Sequence, residues 1–187
     1  MENEVKSQIA TAQDKMEKAI QHLDKELIKI RAGKASANML DGILVDYHGA
    51  TTPLTKVANI SVADARSITI QPWDKSVITS IEKAVLKANL GLTPENNGEV
   101  VRINVPPLTE ERRKALVKQV KTESENSKVV IRNTRRDIIE EFKKLKKKGL
   151  DEDVEKKSTE QMQKIHDNYI KKVDELAVKK EKEIMHV

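Results

Sequence analysis

The sequence predicts an α+β protein, a long three-helix bundle with a small α/β domain inserted between the first helix and the second. Three observations predict it. Apolar residues repeat at helical spacing over long stretches at both ends of the chain. The middle, from about residue 31 to 105, trades the Lys/Glu background for β-branched residues and turn formers. Charged residues make up 35% of the chain and aromatics only 2%, a composition of long exposed helices when it carries a 3.6-residue period.

The first helix is expected over residues 3–31. Val5, Ile9, Ala12, Met16, Ile20, Leu23, Leu27 and Ile30 follow one another at steps of three or four, which is one apolar stripe on a helix. Lys, Glu, Gln and Asp fill the other faces. Only another long helix can cover such a stripe. Gly33 breaks the pattern.

The insert follows. Ile43–Tyr47 alternates weakly and ends at the turn signal His48-Gly49. Thr55–Val62 reads as one or two short strands, and Ser67–Gln71 as a period-two strand. Asp74 is placed to cap a helix over Lys75–Asn89, whose Val77, Ile78, Ile81, Val85 and Leu86 share a face. Asn96-Asn97-Gly98 turns the chain into a last strand, Glu99–Val105, making one helix and about five strands. Trp73 and Tyr47 are expected to pack this small core.

The second long helix opens at Pro106-Pro107-Leu108-Thr109-Glu110-Glu111. Thr109 stands at the N-cap, and the two Glu place negative charge at the positive end of the helix dipole. No Gly or Pro then occurs until Gly149, so the helix runs roughly 60 Å at 1.5 Å per residue. Leu116, Val120, Ser127, Ile131, Thr134, Ile138, Phe142 and Leu145 form its buried stripe. Asp151 caps a third helix reaching about Ile184, with Val154, Met162, Ile165, Tyr169, Val173 and Leu176 on its inner face. The short connection makes the second and third helices antiparallel neighbours. The expected domains are therefore 1–30 with 106–187, and 31–105. The hinge between them comprises Arg31, Ala32 and Gly33 on the way out and Asn104, Val105, Pro106 and Pro107 on the way back.

Net charge is +5, which permits a polyanionic partner. The charge is local: residues 128–148 hold nine Lys/Arg against three Asp/Glu, whereas residues 31–105 hold eight against seven. On a helical wheel Arg132, Arg136 and Lys143 lie opposite the buried stripe, while Lys128 and Arg135 lie at its border. A rigid helix with guanidinium groups along one edge suits phosphate. A solvated face balanced by Asp137, Glu140 and Glu141 accounts for the same charge run. Four scattered aromatics cannot build the stacking platform of a single-strand reader, so any RNA bound here is structured and held by its backbone.

Enzymatic chemistry has no visible basis. Gly33-Lys34-Ala35-Ser36 lacks the earlier glycine of a phosphate loop and has Ala where Ser or Thr would hold Mg²⁺. The four His stand apart without metal-ligand spacing, and Cys is absent. No catalytic residue, metal or cofactor is expected. The N-terminus resembles no signal peptide and no window is apolar enough to span a membrane, so a cytoplasmic protein without membrane attachment is expected.

Specific blocks then carry a resemblance. Arg31-Ala32-Gly33-Lys34-Ala35-Ser36, Pro72-Trp73-Asp74-Lys75-Ser76, Pro106-Pro107-Leu108-Thr109-Glu110-Glu111-Arg112-Arg113 and Arg132-Asn133-Thr134-Arg135-Arg136-Asp137 resemble, in order, the bacterial ribosome recycling factors. The likeness runs over essentially the whole chain. It implies an L-shaped two-domain monomer that binds the post-termination ribosome and, with elongation factor G and GTP, releases ribosomes from mRNA by splitting them into subunits. It implies contact with large-subunit rRNA at the aminoacyl and peptidyl sites through Arg31, Arg132, Arg135, Arg136 and Lys128. Ala37, His48 and Asn104 depart from the family pattern. A coiled-coil adaptor binding protein partners is the competing reading, which explains the long helices but not the junction motifs.

Overall fold

A computed structural model describes residues 1–186; residue 187, the last of the expected bundle domain, lies outside the described residues. The chain divides into two compact units, residues 1–32 with 110–186, and residues 33–109.

The first unit is three helices: α1 (Glu2–Lys29), α3 (Glu110–Lys147) and α4 (Glu152–Met185). A fourth helix, α2 (Ile78–Lys87), belongs to the insert. The expected stripes form the seam. Val5, Ile9, Met16, Leu23 and Leu27 of α1, Leu116, Val120, Ile131, Ile138, Phe142 and Leu145 of α3, and Met162 and Val173 of α4 are all buried. Ala19 is buried where Ile20 was expected, and Ile20 is half-buried. Ser124, Ser127, Thr134 and Ser158 also lie in the seam. Three of these hydroxyls are satisfied within their own helices: Ser124 Oγ, Thr134 Oγ1 and Ser158 Oγ donate to the carbonyls four residues back at 2.7–2.8 Å. Burying these three therefore leaves no hydroxyl donor of theirs unpaired.

The α3–α4 corner is a Schellman turn. Gly149 takes φ +105°, a left-handed conformation that glycine adopts without strain. Leu150 N–H reaches back to the Leu145 carbonyl at 3.0 Å, and the Leu150 side chain is buried. Asp151 then caps α4, its Oδ1 accepting from Asp153 N–H at 2.8 Å and Val154 N–H at 3.4 Å. The corner consequently fixes the register of α3 against α4, on which the cationic segment depends.

The insert holds six strands. β1 (Leu44–Tyr47) and β2 (Ala50–Pro53) form a hairpin; β3 (Ala58–Asp64), β4 (Ser67–Pro72), β6 (Val101–Asn104) and β5 (Thr93–Asn96) form an antiparallel sheet in that order. Helix α2 (Ile78–Lys87) covers it, preceded by a single 3-10 turn at Lys75–Val77. Asp74 caps that turn, accepting from Ser76 N–H at 2.9 Å. Ile68 and Ile70 of β4, Val101 and Ile103 of β6, and Ile78, Ile81 and Val85 of α2 meet in one aliphatic core.

Several expectations fail here for local reasons. Residues 54–56 form a 3-10 turn rather than the start of a strand. Strands β2 and β5 were not expected. Leu86 is 56% exposed, because it lies about 100° round the helix from Val85 and the sheet covers only the narrower face. Trp73 is 69% exposed. In β4 the inward positions are Ile68, Ile70 and Pro72, so the strand's alternation carries the next side chain outward. Tyr47 is also exposed, its ring edge-on to His48 at 4.6 Å between centroids. His48 itself takes φ +49° in the hairpin turn and bonds Asp74 through Nε2 at 3.1 Å.

No described helix is long and apolar enough to cross a membrane.

Candidate nucleic-acid interface

The cationic segment lies in the second half of α3, where the helix packs on α4. Lys128, Arg132, Arg135 and Arg136 have different surroundings. Lys128 is half-buried with Nζ 2.6 Å from Asp174 of α4. Arg132 is exposed and paired with Glu125, whose carboxyl this guanidinium holds below its ordinary range. Arg136 is the most open, its Nε 3.7 Å from the adjacent Asp137.

Arg135 differs from these three. It is half-buried at the border of the seam, and its Nη1 donates to Gln163 Oε1 of α4 at 3.0 Å. No carboxylate among the described residues lies at ion-pairing distance from it. Its Nε is buried without a partner. Behind it Gln163 Nε2 donates to Asp167 Oδ1 at 2.8 Å, and the same oxygen lies 2.9 Å from His166 Nδ1. The bond from His166, then that from Gln163, holds the Asp167 carboxyl below its ordinary range, with a smaller effect of the Arg135 charge. A cation that hydrogen-bonds a neutral amide keeps its field, whereas one paired to a carboxylate is largely cancelled at a distance. Of the four, Arg135 alone has no carboxylate at ion-pairing distance among the described residues, and Asp167 feels its charge from beyond Gln163.

Sequence reasoning named Arg135 but missed Gln163, His166 and Asp167. A signal existed. His166 follows Met162 by four and precedes Val173 by seven, on the buried stripe, and it is buried. The apolar Ile165 was expected on that stripe instead and is half-buried.

The crossings lie elsewhere. Arg31 and Ala32 are half-buried at the end of the first unit. In the insert, the two crossings are tied to adjacent residues of the β3–β4 turn. Ala35 N–H donates to the Ala65 carbonyl at 2.8 Å, and Val105 N–H to the Arg66 carbonyl at 2.7 Å. Gly33 is buried at φ +75°, and a Cβ there would stand 2.8 Å from Leu108 Cγ. The compact unit that holds the insert runs from residue 33 to residue 109. Asn104 ends β6 and pairs with Ser67 and Thr93 on either side; Pro106 and Pro107 are exposed.

A three-helix bundle with a cationic edge, interrupted by an independently cored α/β insert, defines a two-unit helical binding protein. Comparison with known proteins narrows this. The sequence model of the family described as "Ribosome recycling factor" matches residues 23–185. The ribosome-recycling factor of Porphyromonas gingivalis is 55% identical over 98% of this chain and all of its own length. That of Flavobacterium johnsoniae is 51% identical, covering both chains completely. Among solved structures, a solution structure of ribosome recycling factor aligns with TM-score 0.78 at 37% identity, over 98% of each chain. A second, at TM-score 0.62 and 41% identity over 96% of this chain and 98% of that one, is the Thermus thermophilus factor, described with Escherichia coli elongation factor G bound to the post-termination complex. The chain belongs to the ribosome recycling factor family.

Proposed function

We propose that this chain recycles ribosomes. It binds the post-termination ribosome and, with elongation factor G and GTP, releases the ribosome from mRNA by separating its subunits. The bundle docks on large-subunit rRNA at the aminoacyl and peptidyl sites. Arg135 makes the principal phosphate contact, and Arg132, Arg136, Lys128 and Arg31 add to it. The observation that carries this reading is Arg135 itself, an arginine held on a rigid helix by the Gln163 amide, with no carboxylate at ion-pairing distance among the described residues. A guanidinium in that state loses no internal ion pair when it meets phosphate.

The insert swings about the two crossings, with Arg31, Ala32 and Gly33 on one and Asn104, Val105, Pro106 and Pro107 on the other. Elongation factor G acts on the insert, and the long helices carry the displacement to the rRNA contacts. The chain contributes binding and leverage as a monomer in the cytoplasm; the nucleotide is hydrolysed by the elongation factor, so no catalytic residue of its own is needed.

The test is a subunit-splitting assay on purified post-termination complexes. Light scattering should fall only when this chain, elongation factor G and GTP are all present. Equal splitting with and without the chain would overturn the proposal.

A further inference from the structure

Gln163 stands between a cation and an anion. Arg135 is an obligate donor, so the Gln163 oxygen must face it; the Asp167 carboxylate is an acceptor, so the Gln163 nitrogen must face that. The amide therefore has one satisfied orientation. His166 Nδ1 shares the Asp167 oxygen at 2.9 Å and fixes the carboxylate in turn. Gln163 and Asp167 lie four residues apart on one face of α4.

The arrangement has a consequence for charge. A Glu at position 163 would pair with Arg135 and cancel it, and would also sit against Asp167. A side chain with no polar end would leave the guanidinium free to turn, at a cost in rotamer entropy on binding. The amide avoids both. It holds Nη1 and leaves Nη2 with no protein partner among the described residues. We infer that Gln163 is a positioning residue for RNA binding: a neutral spacer, anchored by Asp167 and His166, that fixes the Arg135 guanidinium toward a phosphate without neutralising it. This rests on the proposal that Arg135 contacts rRNA.

The experiment measures binding of the full chain to purified large ribosomal subunits across a KCl series. It compares the wild type, Arg135→Ala, Gln163→Glu, Gln163→Met and the double variant Arg135→Ala/Gln163→Met, with a melting curve for each. Gln163→Glu should weaken binding about tenfold, as expected for loss of a charge-assisted hydrogen bond, and flatten the salt slope by about 0.7–0.9, one phosphate's share. Gln163→Met should keep the slope but bind roughly threefold more weakly, the charge being present but unfixed. In the Arg135→Ala background Gln163→Met should have no further effect, because it acts only through Arg135.

Wild-type binding by both Gln163 variants, alongside a loss for Arg135→Ala, would overturn the positioning role and leave the rRNA contact standing. So would a Gln163→Met loss that adds in full to that of Arg135→Ala, which marks a general structural effect. An unchanged affinity and slope for Arg135→Ala would remove the rRNA contact and this inference together.

Discussion

The largest apolar side chain of the helical unit, Phe142, is completely buried, while that of the insert, Trp73, is 69% exposed. The two units bury their apolar surface differently. The helical unit has one long seam, fed by stripes that recur every three or four residues, and its Ser124, Thr134 and Ser158 hydroxyls are bonded back into their own helices. The insert has a short aliphatic core of Ile, Val and Leu between one helix and one sheet, and its two large aromatic side chains, Trp73 and Tyr47, lie outside it. The seam gives length and stiffness from simple repetition. The insert gives a compact lobe whose shape depends on strand parity and turns.

Core truncations should break the comparison most sharply. Phe142→Ala should cost about 3–5 kcal/mol and Ile81→Ala about 2–5 kcal/mol. Hydrogen exchange should show the first deprotecting α1, α3 and α4 while β4 and β6 stay protected, and the second doing the reverse. Equal loss of protection everywhere in both variants would mean the two units unfold as one.

Gly33→Ala should come next, at about 2 kcal/mol. It forces an L side chain into φ +75° and sets a Cβ against Leu108. Denaturant melts followed by β-sheet signals should report it, and a melt unchanged from the wild type would show that Leu108 simply moves aside. Trp73→Ala should change stability by no more than about 0.5 kcal/mol, since the ring is on the surface. A loss of several kcal/mol there would show that the ring belongs to the core after all.

A smaller effect depends on pH. Bonds from Ser76, through its hydroxyl and backbone N–H, and then from His48 hold Asp74 down to about 2. The folded value lies below the ordinary aspartate value of about 3.9. The stability this group contributes is therefore present above about pH 4 and lost as pH falls toward 2. Asp74→Asn should remove that part of the insert's acid sensitivity, measured as a shallower fall in melting temperature between pH 4 and pH 2.5. An identical fall in both proteins would remove Asp74 as its source.

How much the residues disclosed in advance follows the same division. The three long helices were legible because a stripe repeated eight times leaves only one way to hide it, and because Gly149 and Asp151 mark the corner. The insert was less so. Strands β2 and β5 read Ala-Thr-Thr-Pro and Thr-Pro-Glu-Asn, polar and Pro-containing; Pro is tolerated there because each is an edge strand. Trp73 and Tyr47 misled because general burial preference says nothing about strand parity. At the interface, the wheel located Arg135 at the seam's border, but it could not show that the neighbour from α4 is an amide rather than a carboxylate. That contact joins residues 28 apart in sequence.

The four cations of α3 are unequal, because three lie within ion-pairing distance of a carboxylate and Arg135 does not. The most direct test is the slope of log affinity for the large ribosomal subunit against log salt, taken for Lys128→Ala, Arg132→Ala, Arg135→Ala and Arg136→Ala. Arg135→Ala should flatten the slope most, by about 0.7–0.9, and Lys128→Ala least. Equal changes in all four, or none for Arg135→Ala, would contradict it.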